Sequence, residues 1–153
     1  MKLILASHGP LAGAILASAE LIIGKIDSVA AFSLTKEMGP KDLERELSEE
    51  IEKTDDDDIV LGLDLLGGTP SNVSVTLLAK YPKLEVITGI NLPMVIEYGN
   101  QKMLGQLNVA QLISMATAGV TNVKEKLAED QSDEDWVNCD CVYKKLYVSC
   151  EIW

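Results

Sequence analysis

Short apolar runs alternate with amphipathic stretches along most of the chain. Lys2 to Ser7 is nearly continuous in apolar residues and stops at His8-Gly9-Pro10, the pattern of a buried strand ended by a turn. Pro10 suits the first helical position, and Leu11, Ile15, Ala19 and Ile22 then recur every three or four residues until Gly24, so a helix is expected to follow. Val29 to Leu34 repeats the strand pattern. After a Gly39-Pro40 break, Leu43, Leu47 and Ile51 form an i, i+4 stripe in a charged segment, which predicts an amphipathic helix with one face in solvent. Ile59 to Leu63 is a third apolar run, Ser71 to Lys80 reads as a helix, and Leu84 to Ile90 as a fourth strand. Pro93 to about Tyr98 reads as the start of a further helix. Val109 to Leu127 reads as one long final helix, with Leu112, Ile113, Ala116, Val120, Val123 and Leu127 on its apolar side.

Strand and helix thus alternate about four times, and the strands are apolar throughout instead of alternating with polar residues. This is expected when helices cover both faces of a parallel sheet, so the fold class is α/β, an open and mainly parallel sheet of about four strands. In such sheets the functional crevice lies outside the carboxyl ends of the strands. His8-Gly9-Pro10 and the turn from Asp64 to Pro70 both fall at that edge, which places them to face each other.

The chain has 153 residues, enough for one domain with a substantial core, and 47% of them are apolar. No apolar stretch approaches the roughly 20 residues of a membrane span. The short apolar N-terminus reads as a strand and not as a signal peptide, so a cytoplasmic address is expected. A net charge of −11 with no basic cluster argues against nucleic acid as a ligand and favours basic patches on protein partners. Asp55 to Asp58 reads as a solvated turn; four consecutive aspartates in an extended segment point to opposite sides and make no cation cage. Cys139, Cys141 and Cys150 all lie near the C-terminus, odd in number and without a zinc-ligand spacing, so no metal site is expected. The tail after Glu129 changes character and gathers Trp136, Tyr143, Tyr147 and Trp153; it reads as an added strand or hairpin, or as a loose extension, and residues 131–153 are set apart from a domain spanning 1–130.

His8, the only histidine, stands where a strand ends. Asp64 follows an apolar strand that has little other reason to end in a charge. A carboxylate bonded to one imidazole nitrogen fixes the tautomer and leaves the other nitrogen as a nucleophile. Gly67-Gly68-Thr69-Pro70-Ser71 lacks the lysine of a nucleotide-binding P-loop. Its glycines can still turn N–H groups toward an anion, Thr69 and Ser71 can add hydroxyls, and the following helix points its positive end there, which makes Gly68, Thr69 and Ser71 candidate phosphate-binding residues. The plainer reading is a strand-to-helix turn with Thr69 as N-cap and Pro70 at the first helical position. Asn91-Leu92-Pro93 supplies a third turn at the same edge.

The strand ending in Ser-His-Gly, the strand ending in Asp64 with Leu-Leu-Gly-Gly-Thr-Pro-Ser-Asn after it, and the later Thr88-Gly89-Ile90-Asn91-Leu92-Pro93-Met94 resemble the IIA domain of the mannose family of bacterial phosphoenolpyruvate-dependent sugar phosphotransferase systems. The likeness covers residues 1 to about 127. It implies a homodimer in which part of the sheet edge, an added antiparallel strand, is exchanged between subunits. It also implies a relay in which His8 takes a phosphoryl group from the phosphorylated carrier HPr, holds it on Nε2 and gives it to the IIB component, with membrane IIC and IID components downstream. Asp64 matches the family's histidine-orienting aspartate, and Thr69 sits where a serine is common. Leu65 and Leu66 replace the Thr-Trp of some members at the rim. No metal or nucleotide cofactor is implied. Two other readings stay open: the phosphotransfer subunit of a dihydroxyacetone kinase, and an α/β regulatory module that binds an anion without being modified.

Overall fold

The computed structural model describes residues 1–54 and 58–130. Residues 55–57 of the expected turn from Asp55 to Asp58, the three cysteines and the aromatic-rich tail lie outside these residues. The elements in chain order are β1 (Lys2–His8), α1 (Leu11–Ile23), β2 (Val29–Leu34), α2 (Pro40–Glu52), β3 (Ile59–Leu63), α3 (Thr69–Lys80), β4 (Glu85–Thr88), α4 (Leu92–Leu104), α5 (Val109–Ala118) and α6 (Val123–Asp130). Met1 to Val120 form one unit, and Thr121 onward belongs to a second, of which α6 is described.

The strands form one sheet in the order β2-β1-β3-β4, and every pairing among them is parallel, as the unbroken apolar strands required. Leu3, Ile4, Leu5 and Ala6 of β1 and Val60, Leu61 and Leu63 of β3 are fully buried. Successive side chains leave opposite faces of the strand and feed two separate cores. Leu3 and Leu5 join Ala12 and Ala19 of α1, Met94, Val95 and Tyr98 of α4 and Leu112 of α5. Ile4 and Ala6 join Leu43, Leu47 and Ile51 of α2 and Val73 and Leu77 of α3. Each buried leucine or isoleucine contributes roughly 1.5–3 kcal/mol of transfer free energy, so these two layers supply most of the driving force that holds the sheet.

Two expectations change besides the ends of β4, which spans Glu85–Thr88 and not Leu84 to Ile90, and Pro10, which is the N-cap of α1 and not its first residue. The final helix does not run unbroken from Val109 to Leu127: α5 ends at Ala118, Gly119 is its C-cap, and α6 starts at Val123, where the Asn122 side chain accepts hydrogen bonds from the N–H groups of Lys124 (3.1 Å) and Glu125 (3.5 Å). A Cβ on Gly119 would stand 2.5 Å from Cγ of Pro93, so this close approach selects glycine, a poor helix former, at the break. Of the six apolar positions assigned to one face, only Leu112 is buried, while Ile113, Val120, Val123 and Leu127 are exposed. The second change is at α3, which begins two residues earlier than expected, at Thr69, with Gly68 and not Thr69 as the N-cap.

Candidate functional site

The strand order decides where a ligand can sit. From β1 the chain moves outward to β2, then crosses back to β3 on the other side, so the connections leaving β1 and β3 diverge and open a crevice at their carboxyl ends. Ala6 pairs with Leu63 in the parallel register. His8 at the end of β1 and Asp64 just past β3 therefore meet, although they are 56 residues apart in sequence. The pleat aims them: Ile4 and Ala6 face the α2/α3 layer, and His8, in phase with them, is directed to the first turn of α3.

One oxygen of Asp64 holds His8 twice. Oδ2 accepts a hydrogen bond from the His8 backbone N–H at 2.8 Å and lies 2.8 Å from His8 Nδ1. Since a carboxylate only accepts, the contact assigns the proton to Nδ1 and leaves the lone pair on Nε2. The histidine side chain is 46% exposed and the aspartate 11%, so the ring is open to solvent while the carboxylate that holds it is enclosed. Burial raises the Asp64 pKa, but the hydrogen bonds from the His8 backbone and imidazole, with a further one from the Leu65 backbone, outweigh it, and the carboxyl is held below its ordinary value. The second oxygen, Oδ1, is buried without a hydrogen-bond partner among the described residues.

The imidazole lies against the start of α3. A Cβ on Gly68 would fall 2.7 Å from His8 Cε1 and 3.4 Å from Nε2. The turn before it is formed by Gly67 at φ +83°, a conformation that favours glycine. No side chain caps α3 and Pro70 has no N–H, so the N–H groups of Thr69 and Ser71 are left without an intrahelical partner beside the positive end of the helix. Thr69 is half-buried and Ser71 is buried on the same turn. The three predicted phosphate-binding residues thus occupy the cap and first turn of the helix that His8 abuts. The third turn is spent on structure: the Asn91 side chain accepts from Met94 N–H at 3.2 Å and donates to Ala116 O at 2.7 Å, capping α4 and tying it to α5.

Sequence reasoning passed over Ser7. Its hydroxyl is fully buried, accepts from the Ala12 N–H of α1 at 2.8 Å and donates to Gly9 O at 3.2 Å, while Gly9 N–H bonds to Leu34 O at 3.0 Å. These bonds close the turn on which His8 stands, and Gly9 completes it at φ +59°. The signal was a polar residue in phase with the buried leucines of β1. On the β2 side an open depression of ≈ 580 Å³ borders His8 and is walled by Ser33 to Lys36.

The family model for the fructose IIA component of phosphotransferase systems matches residues 2–117. A sorbose-specific EIIA component from Lacticaseibacillus casei is 27% identical over 139 residues, covering 89% of this chain and all of that protein. The structure of a phosphotransferase system EIIA component from Streptococcus agalactiae superposes with a TM-score of 0.74 at 30% identity, covering 81% of this chain and 98% of that one. A mannose/sorbose-specific IIA subunit from Enterococcus faecalis gives a TM-score of 0.69 at 34% identity, covering 79% and 92%.

Proposed function

Because the chain belongs to the mannose- and fructose-type IIA family of sugar phosphotransferase systems, we propose that it is a phosphohistidine relay, with His8 as the residue that carries the phosphoryl group. The observation that carries this reading is the two-point hold of Asp64 on His8, which leaves Nε2 as a free nucleophile against the open end of α3. The donor is the phosphorylated carrier HPr. Nε2 attacks phosphorus as the donor's P–N bond breaks and that electron pair stays on the donor nitrogen. The Nδ1 proton remains in its bond to Asp64, whose charge offsets the positive imidazolium that forms. No proton has to leave. The second transfer repeats the displacement with the IIB component as acceptor, and the sugar entering through IIC and IID receives the group from IIB.

The protein contributes position and charge stabilisation, which is what phosphoryl transfer mostly asks of it. The N–H groups of Thr69 and Ser71 and the Thr69 hydroxyl are the donors for the phosphoryl oxygens in this reading, and Gly68, against which the imidazole packs, lets the ring approach that end of the helix. The scheme uses no metal or nucleotide. It places the protein in the cytoplasm, where HPr and IIB are met, and none of its described helices is long and apolar enough to cross a membrane. It also takes the protein as a homodimer, which sedimentation at micromolar concentration checks by mass.

The reading is tested by a chase. With phosphoenolpyruvate, enzyme I and HPr the chain becomes labelled, and adding the partner IIB empties the label into IIB. Anion uptake that is reversible on dialysis, with no transfer to IIB, points instead to a regulatory module.

A further inference from the structure

A phosphoryl group on His8 Nε2 has α3 on one side, the side of β3. On the opposite side, toward β2, His8 borders the open depression walled by Ser33 to Lys36. Among the described residues, Lys36 is the only side chain lining it that carries a fixed charge. It is exposed, and it makes no ion pair with any described residue. Other lysines are engaged: Lys2 and Lys53 with Glu50, and Lys80 with Glu52. In a chain with 24 acidic and 13 basic residues, an uncommitted cation at this position opposes the overall charge. The backbone beneath it is fixed by the turn in which Met38 N–H bonds to Thr35 O at 3.3 Å. Its neighbour Glu37 is exposed but does not line the depression.

A phosphoryl group brings nearly two negative charges at neutral pH, next to the Asp64 carboxylate. The α3 donors compensate on one side only. We propose that Lys36 is a phosphoryl-binding residue of this site, its ammonium donating hydrogen bonds to the oxygens of the group on Nε2 from the β2 side. A compact charge on a flexible stem can follow a group that arrives from one protein and departs to another, which a rigid wall cannot. The inference rests on the phosphohistidine reading of His8.

The test compares wild type, Lys36→Gln, Lys36→Glu and Lys36→Arg with two donors, phosphorylated HPr and the small molecule phosphoramidate, following the covalent mass gain with time. With both donors, Lys36→Gln is expected to slow labelling roughly two- to fivefold, an exposed charge's worth, Lys36→Glu to slow it further, and Lys36→Arg to restore most of the rate. Thermal melting should not change, because the side chain is exposed. Slowing with HPr but not with phosphoramidate would assign Lys36 to partner docking and overturn the proposal, as would wild-type rates in Lys36→Glu. Wild type that is labelled by neither donor would instead remove the relay reading, and Lys36 with it.

Discussion

Gly68 has φ −75° and ψ 175°, a backbone open to any residue, so glycine is required there by the imidazole that fills the place of its side chain. Gly68→Ala should therefore leave the melting temperature nearly unchanged yet displace the His8 ring. Transfer kinetics should fall about 100-fold, the scale of an ångström of misplacement at a reacting centre; a normal rate would mean that the ring does not work from this position. Asp64→Asn keeps the shape but loses the charged acceptor, and a slowing of roughly 10- to 100-fold is expected in stopped-flow transfer. The pH dependence has a definite sign. The Asp64 carboxyl is held below its ordinary value in the folded state, so its stabilisation is present above the unfolded value of about 4 and is lost as pH falls through the lower folded value. Acid titrations of stability should lose part of that limb in Asp64→Asn. His8 and Asp64 were legible because a polar residue ending an apolar strand is conspicuous. Ser7 was not, since a serine in such a strand equally suits a buried, locally bonded hydroxyl, and Lys36 was not, since its neighbourhood exists only after β2 is laid beside β1.

At the scale of elements, β2 and β3 have the bounds that their apolar runs predicted, and α2 buries the expected Leu43, Leu47 and Ile51. The turn chemistry was less readable. Thr69 looked like a cap, but α3 is entered through Gly68, where the imidazole leaves no room for a side chain. The break after α5 was missed because the apolar spacing continues across it; Gly119 marks it through contact with Pro93, a residue distant in sequence that the period of one helix cannot reveal. Gly119→Val should crowd Pro93 and cost about 1–3 kcal/mol in denaturant unfolding. The His8 site is built on other elements, so the folded variant should transfer at the wild-type rate, and a parallel loss of activity would show that α4 and α5 support the site more directly than the contacts indicate.

For the whole molecule, the repetition of strand and helix carries the parallel α/β class but not the strand order, and it is that order that produces the site: β2-β1-β3-β4 sends the chain to opposite sides of the β1/β3 pair and leaves their carboxyl ends facing each other. The net charge of −11 acts at the same scale. Transfer from HPr should slow as salt rises from low to physiological ionic strength, since exposed charges are screened beyond about 8 Å at 0.15 M; a rate indifferent to salt would place docking on apolar contacts such as the exposed Leu65 and Leu66. The central claim is that His8 itself becomes phosphorylated, and intact mass at alkaline pH after incubation with phosphoenolpyruvate, enzyme I and HPr tests it most directly. The account predicts a gain of about 80 Da, one phosphoryl group, that is lost in acid and absent from a folded His8→Ala variant; no gain with active partners, or the same gain in His8→Ala, would contradict it.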